Sequence, residues 1–393
     1  MQHDRNGVLP PPDVDSARHS ERVAEFIGER IAEAGGSIGF GEYMQHAMYA
    51  PGLGYYAAGA TKFGAAGDFV TAPEVSSLFG RVVARQCAEV LSATGGVIRE
   101  YGAGSGKLAT DVLQALRDVG ALPERYEIVE VSPELQRRQE AQVARELPDL
   151  LPIVSWLAEP SSRHRGVVLA NEVLDALPVE RFVRRKDGVM QQRVASDGGR
   201  FVIIERSAPP RLAKAVADIE CSLGAPLPEG YTSEVSLGIG DWIAGLAAAL
   251  EVGVAFLFDY GLPRREYYAA ERGDGWLRCH FRHHAHNDPL ILPGIQDLTS
   301  WVDFTAVAEA AVASGCDVAG FSAQAQFLLA GGLAEEMNCF ASLPLERQLA
   351  LSQQIKTLTL PGEMGEHFKC IALRRGDIAT PSAFGVADRT HTL

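Results

Sequence analysis

The sequence predicts an α/β chain built around a doubly wound, mostly parallel sheet. Three observations carry that expectation. Short apolar runs at 97–100, 126–131, 166–170 and 253–258 alternate with segments of helical periodicity. A glycine-rich turn, Gly102-Ala-Gly-Ser-Gly106, joins the first run directly to a helical segment. The runs end on acids and amides, at Glu100, Glu130, Asn171-Glu172 and Asp259, at the strand ends where open sheets of this class place their ligands.

Taken in order, about the first 18 residues, with Pro10-Pro11-Pro12, read as a disordered tail. Ser20 is suited to cap a helix running to about Ala34, with Val23, Ile27 and Ile31 at four-residue spacing. Gly35-Gly36 ends it. A short helix over about 40–48 stops before Pro51, and a loop-rich stretch continues through Gly67-Asp-Phe-Val-Thr-Ala-Pro-Glu74. A helix over about 76–92 closes this helical and loop-rich N-terminal cap, residues 19–92.

The first part of the core, 93–178, opens with strand 97–100. Helix 107–119 follows, with Leu108, Val112, Leu116 and Val119 on one face. Strand 126–131 leads to a helix that Ser132 caps and Pro133 opens. A strand near 153–155 and strand 166–170 complete this part. Over 179–251 the pattern breaks. Alternating runs near 180–185, 189–194 and 201–206, with turns at Asp187-Gly188 and Asp197-Gly198-Gly199, read as hairpin strands. Helices near 209–221 and 239–250 complete an α+β insertion.

The second part of the core, 252–375, has strand 253–258, a long loop over 262–300 and a helix capped by Asp303. A strand over 316–321, helices within 323–358 and a last strand over 367–374 complete a seven-stranded sheet. Residues 376–393 form a C-terminal tail.

Bulk properties narrow the function classes. The 393 residues are 47% hydrophobic, enough for a large core. There are 36 basic and 50 acidic residues, a formal net charge of −14, which repels phosphate backbones and argues against nucleic acid. A basic protein or a small molecule suits that surface better. Six cysteines at 87, 221, 279, 316, 339 and 370, with no C-x-x-C pair, read as buried thiols of a reducing, cytoplasmic compartment. No apolar run is long enough to span a bilayer, and the N-terminus has neither signal-peptide nor transit-peptide composition.

The glycine turn decides among cofactors. A dinucleotide fingerprint requires a third glycine where Lys107 stands. A P-loop requires Gly-Lys-Ser/Thr, and Gly106-Lys107 is followed by Leu108. What remains is acid-x-G-x-G-x-G, from Glu100 through Gly102, Gly104 and Gly106. It resembles the first motif of class I methyltransferases, which use S-adenosyl-L-methionine. A carboxylate at Glu100 suits the ammonium of that cofactor's amino-acid portion and would repel a pyrophosphate. Glu130, at the end of the second strand, is placed to accept hydrogen bonds from ribose hydroxyls.

Asn171 and Glu172 end the fourth strand, at the edge where an acceptor must approach the methyl group. Their oxygens can hold N–H groups and aim a nitrogen lone pair. Asp175 either joins them or starts a helix. Asp68, Thr71 and Glu74 belong to a loop that reads equally as a lid or as a plain surface loop. Cys279, His280, His283, His284 and His286 have no matching ligand pair elsewhere, so no metal is assigned. A histidine there, His283 in particular, is a candidate general base or orienting group. Asp259-Tyr260, at the end of the fifth strand, faces the same edge, and Asp297-Leu-Thr299 and Asp303 either serve as cap and turn residues or line the cleft.

These segments together resemble the MidA-like family, whose eukaryotic members are mitochondrial complex I assembly factors with arginine methyltransferase activity. The resemblance rests on Tyr55-Tyr56, Gly67-Asp-Phe-Val-Thr-Ala-Pro-Glu74, Glu100-Tyr-Gly-Ala-Gly-Ser-Gly106, Asn171-Glu-Val-Leu-Asp-Ala-Leu-Pro178, Asp259-Tyr-Gly261 and Gln296-Asp-Leu-Thr299 through Asp303-Phe304. It covers about residues 20–375. It implies a Rossmann-like class I methyltransferase core, S-adenosyl-L-methionine as cofactor and a protein arginine as acceptor. Cofactor contacts would fall at Gly102, Gly104 and Glu130, and would extend to the 67–74 loop and Asn171. The segment 277–283 departs from the family pattern, in which a glycine-tyrosine pair precedes the histidine. An assembly protein that keeps the fold without turnover, and a small-molecule methyltransferase, are the alternative readings.

Overall fold

A computed structural model describes residues 9–58, 71–160 and 162–393. Its centre is the expected sheet. The core strands, in chain order, are Val97–Tyr101, Arg125–Val129, Val154–Leu157, His164–Asn171, Leu250–Leu262, Asp317–Ala323 and Phe368–Arg375. In space they lie in the order third, second, first, fourth, fifth, seventh, sixth. The first five are mutually parallel, and the seventh runs antiparallel to the fifth and the sixth. The two-residue strand Val302–Asp303 adds to the fifth. Reversal of strand order between the first and fourth strands opens a crevice at their carboxyl ends, the place such a sheet offers a ligand.

Both faces are covered. Helix Lys107–Asp118 buries Leu108, Val112 and Leu116, as its spacing predicts, and Leu113 with them, whereas Val119, expected on that face, is exposed just past the helix end. Helix Ser77–Thr94 packs beside it and buries Phe79, Val82, Val83 and Val90. Each such side chain contributes about 1.5–3 kcal/mol of burial. On the other face, Ile243 and Leu246 of helix Ile239–Ala249 join Val307 and Ala311 of helix Phe304–Ala313. Helix Ile239–Ala249 therefore serves the core, although its sequence neighbours lie in the insertion. Asp303 caps helix Phe304–Ala313, accepting from the Thr305 and Ala306 amides.

Three expectations are corrected. The first helix is Val14–Glu33, capped by Asp13, so Ser20 is a buried helical residue and helix replaces the tail from residue 14. Residues 1–8 of the expected tail lie outside the described residues. The 262–300 loop contains an antiparallel sheet of Leu277–Phe281, His284–His286 and Asp297–Ser300. In its first strand Leu277, Cys279 and Phe281 are buried while Arg278 and His280 are less so, the period of two of a half-buried strand. The C-terminal tail is packed down: Phe384 sits against Phe327, and Arg389 forms an ion pair with Glu366.

The insertion and the N-terminal cap share one sheet. Strands Glu180–Arg185, Gly188–Asp197 and Arg200–Ser207 form at the hairpins expected. Ser37–Gly39, which carries no strand signal of its own, pairs with residues 193–195. Under this sheet Ile27, Ile31, Tyr43 and Met44 of the cap meet Val194, Leu277 and Leu298.

Candidate functional site

The glycine turn lies at the crevice. Gly102, Gly104 and Gly106 all have positive φ, at 65°, 53° and 85°. A Cβ on Gly104 would meet nothing within 4 Å, so the backbone borders open space there. A Cβ on Gly102 would stand 2.9 Å from Val173, which places the segment after the fourth strand directly against the turn. Glu130 is half-buried beside it. Its carboxylate accepts from the Ser132 amide at 2.8 Å and from Gln139 Nε2 at 3.0 Å.

Gln139 is a residue the sequence analysis missed. It is fully buried on helix Pro133–Glu146, donates also to the Gly104 carbonyl at 3.0 Å and accepts from Trp156 Nε1 at 3.0 Å. One amide thus fixes the glycine turn relative to Glu130. A polar residue on the same helical face as buried Val143, four positions on, is the signal that marks it.

Glu100 differs from expectation. It is buried under helix Ser77–Thr94, not open on the turn, and accepts a hydrogen bond from the Tyr126 hydroxyl at 2.6 Å. Burial pushes its pKa to about 7. The Glu74 carboxylate accepts from the Ser105 hydroxyl of the glycine turn. Thr71 begins the short helix Ala72–Val75 without a side-chain cap bond. Asp68, with residues 59–70, lies outside the described residues.

The second half of the site is a group of acids at the ends of the fourth and fifth strands, with Asp175 and Asp259 buried and Glu172 half-buried. Glu172 has φ of +54°, an uncommon conformation for a residue with a Cβ, and its amide donates to the Phe258 carbonyl at 2.8 Å. Its carboxylate accepts from Asn171 Nδ2 at 3.1 Å and from the Ala72 amide. Burial and the neighbouring Asp175 raise its pKa to about 8. Asp175 accepts from the Tyr260 hydroxyl, and burial raises its pKa to about 6. Asp259 is wholly buried, and burial with Asp175 and Glu172 alongside raises its pKa well above the ordinary carboxylate range. Asp297 accepts from the Tyr56 hydroxyl at 3.1 Å, and Tyr49 donates to the Ala176 carbonyl at 2.8 Å, so the N-terminal cap reaches the same edge.

Among the described residues, no lysine, arginine or histidine pairs with Glu172, Asp175 or Asp259. Asn171 Oδ1 and Asp175 Oδ1 are buried and accept no hydrogen bond from the described residues. Three carboxylates and two idle acceptors at one edge match a ligand that is cationic and donates only.

His283 is not brought to these acids. It occupies the exposed turn between strands Leu277–Phe281 and His284–His286, with φ of +65°. A general-base role at the acid edge is therefore corrected. Cys279 is buried in the same hairpin, where burial raises its thiol pKa, and His280 is pushed down to about 4 by burial. Among the described residues no group of three or more His, Cys, Asp or Glu is arranged to hold a metal ion. Asp303 is a helix cap and a partner of Arg264, not a cleft residue.

Comparison with known proteins gives the context for this geometry. Residues 82–322 match the family described as "Putative S-adenosyl-L-methionine-dependent methyltransferase". The chain is 31% identical over 378 residues to the mitochondrial protein arginine methyltransferase NDUFAF7 homolog of Drosophila melanogaster, covering 88% of this chain and 83% of that one. It is 30% identical over 379 residues to the mitochondrial protein arginine methyltransferase NDUFAF7 of Homo sapiens, covering 86% and 80%. A crystal structure from Burkholderia thailandensis bound to S-adenosyl-homocysteine superposes with a TM-score of 0.92 at 40% identity, covering 98% of this chain and 100% of that one.

Proposed function

Because the chain belongs to the S-adenosyl-L-methionine-dependent methyltransferase family, we propose that the acceptor it methylates is an arginine side chain of a protein, held at the Asn171–Glu172–Asp175 edge. The observation that carries this reading is the group of acids at this edge, beside which no cation stands among the described residues. A guanidinium supplies five N–H donors and one positive charge, which satisfies Glu172, Asn171 Oδ1 and Asp175 Oδ1 together. The relatives named as arginine methyltransferases support the same acceptor.

S-adenosyl-L-methionine, when bound, supplies a methyl group on a sulfonium. The residues fit that cofactor: Gly104 borders open space, Gly102 and Gly106 shape the turn, and Glu130 offers a carboxylate for ribose hydroxyls. Glu74 accepts from the Ser105 hydroxyl of the turn, and Asn171 ends the fourth strand. A guanidinium nitrogen that gains a methyl group must lose an N–H proton. Glu172, half-buried and with a raised proton affinity, is the group that takes it when ionised beside the bound cation, and Asn171 aims the nitrogen.

The surface charge of −14 suits a basic protein partner. The six free cysteines, four of them buried, suit a reducing cytoplasmic compartment. Among the described residues no helix is long and apolar enough to cross a membrane.

Incubation with methyl-labelled cofactor and a cell lysate, followed by mass spectrometry, tests the proposal. Methylarginine in a protein band is the expected product. Glu172→Gln should lower its formation by about 10²-fold or more while leaving S-adenosyl-homocysteine binding intact. Label appearing only in small molecules, or only on residues other than arginine, overturns the acceptor assignment. Cofactor binding with no transfer to any lysate component favours the assembly-protein reading.

A further inference from the structure

We propose that Asp259 is the positioning residue of the acceptor site: its carboxylate, reaching across from the fifth strand, sets the backbone elbow that aims Glu172 and Asp175. This rests on the acceptor reading above and adds a residue that reading does not need.

The geometry is specific. One carboxylate oxygen of Asp259 accepts from the Leu174 amide at 2.9 Å and the Asp175 amide at 3.1 Å. The other accepts from the Tyr260 amide at 2.9 Å. With the Glu172 amide on the Phe258 carbonyl, three of the four amides over 172–175 are tied to the fifth strand. The elbow's own turn chemistry is weak: its internal backbone bond is Leu177 to Leu174 at 3.3 Å. The left-handed conformation of Glu172 therefore persists because the neighbouring strand enforces it.

A carboxylate is an unfavourable choice for capping a turn that already holds two acids, since the three charges repel. It gains three charge-assisted N–H bonds, which a neutral amide cannot reproduce without turning its own N–H₂ toward donors. The arrangement has an electrostatic consequence. Asp175 and Asp297 raise the proton affinity of Glu172, Asp175 and Glu172 raise that of Asp259, and Tyr49, Tyr56 and Tyr260 stand beside Asp175.

The experiment compares the full-length protein with Asp259→Asn and Asp259→Ser, the second leaving room if the first distorts the fold. Hydrogen exchange of the 171–178 segment reads the elbow without depending on activity. Exchange should quicken by about tenfold in both variants. S-adenosyl-homocysteine binding, measured by calorimetry, should stay within about threefold of the parent, and kcat for arginine methylation should fall by about tenfold or more. Unchanged exchange in both variants overturns the proposal, as does a loss of S-adenosyl-homocysteine binding as large as the loss of kcat. Glu172→Gln turning over as fast as the parent overturns the acceptor reading instead, while the exchange result still judges Asp259.

Discussion

At the scale of single residues, the acid edge works against stability. Glu172 is an ionisable group whose pKa burial raises from an ordinary 4.5 to about 8. Between those two values the folded state holds a proton that the unfolded state has released. Stability of the ligand-free protein therefore falls as pH rises through that window. Chemical denaturation at pH 5.5 and pH 8 should show the lower midpoint at pH 8, and Glu172→Gln should shrink the difference. At pH 8 that variant should be more stable than the parent by about 1–2 kcal/mol while losing transfer. A midpoint independent of pH in both proteins would mean that Glu172 is not held protonated. The strained φ of Glu172 adds about 1–3 kcal/mol of backbone cost at the same residue. A site that destabilises its own fold until a cation arrives is built for binding, and the guanidinium reading explains the expense.

At the scale of elements, helix Pro133–Glu146 does more than cover the sheet. Ser132 caps it, as its sequence announces, and the cap sets the phase that carries Gln139 under the glycine turn. Gln139→Leu keeps the volume and removes the bonds to Gly104, Glu130 and Trp156. We expect S-adenosyl-homocysteine binding to weaken by about tenfold in calorimetry, with the melting temperature lowered by the loss of a buried network. Unchanged affinity would remove Gln139 from the cofactor site. The hairpin of 277–286 teaches the converse point. Its histidines invite a chemical role, yet the alternation of Leu277, Cys279 and Phe281 already spelled a half-buried strand, and His283 became a turn residue. The period, which reports packing, was the sounder guide there.

At the scale of the whole molecule, the N-terminal cap and the insertion are one unit, stapled by Ser37–Gly39 on residues 193–195. That unit delivers Tyr49 and Tyr56 to the acid edge. Ile38 is fully buried at the centre of the staple and faces Val194. Ile38→Pro removes a ladder donor and a buried side chain, at a cost of about 3 kcal/mol or more. Limited proteolysis should then cut within the cap at concentrations that leave the parent intact. Methyl transfer should fall further than cofactor binding, because the core sheet and glycine turn do not depend on the staple. Equal losses of both would show that the cap also supports the core.

The alternation of strand and helix, the glycine turn with its excluded cofactors, and the acids at the strand ends were all legible in the sequence, because each is written in residues a few positions apart. Strand and helix periods and turn chemistry are local, so a linear reading recovers them. What only the tertiary structure decided were the meetings of distant residues. Asp259 reaches Leu174 across 85 positions, Tyr56 reaches Asp297 across 241, and Ser37–Gly39 finds an edge in the insertion. It also decided which acids are buried together, and so which have their proton affinity raised. That depends on desolvation by the whole fold and on the sum of neighbouring charges, neither of which any short stretch of sequence contains.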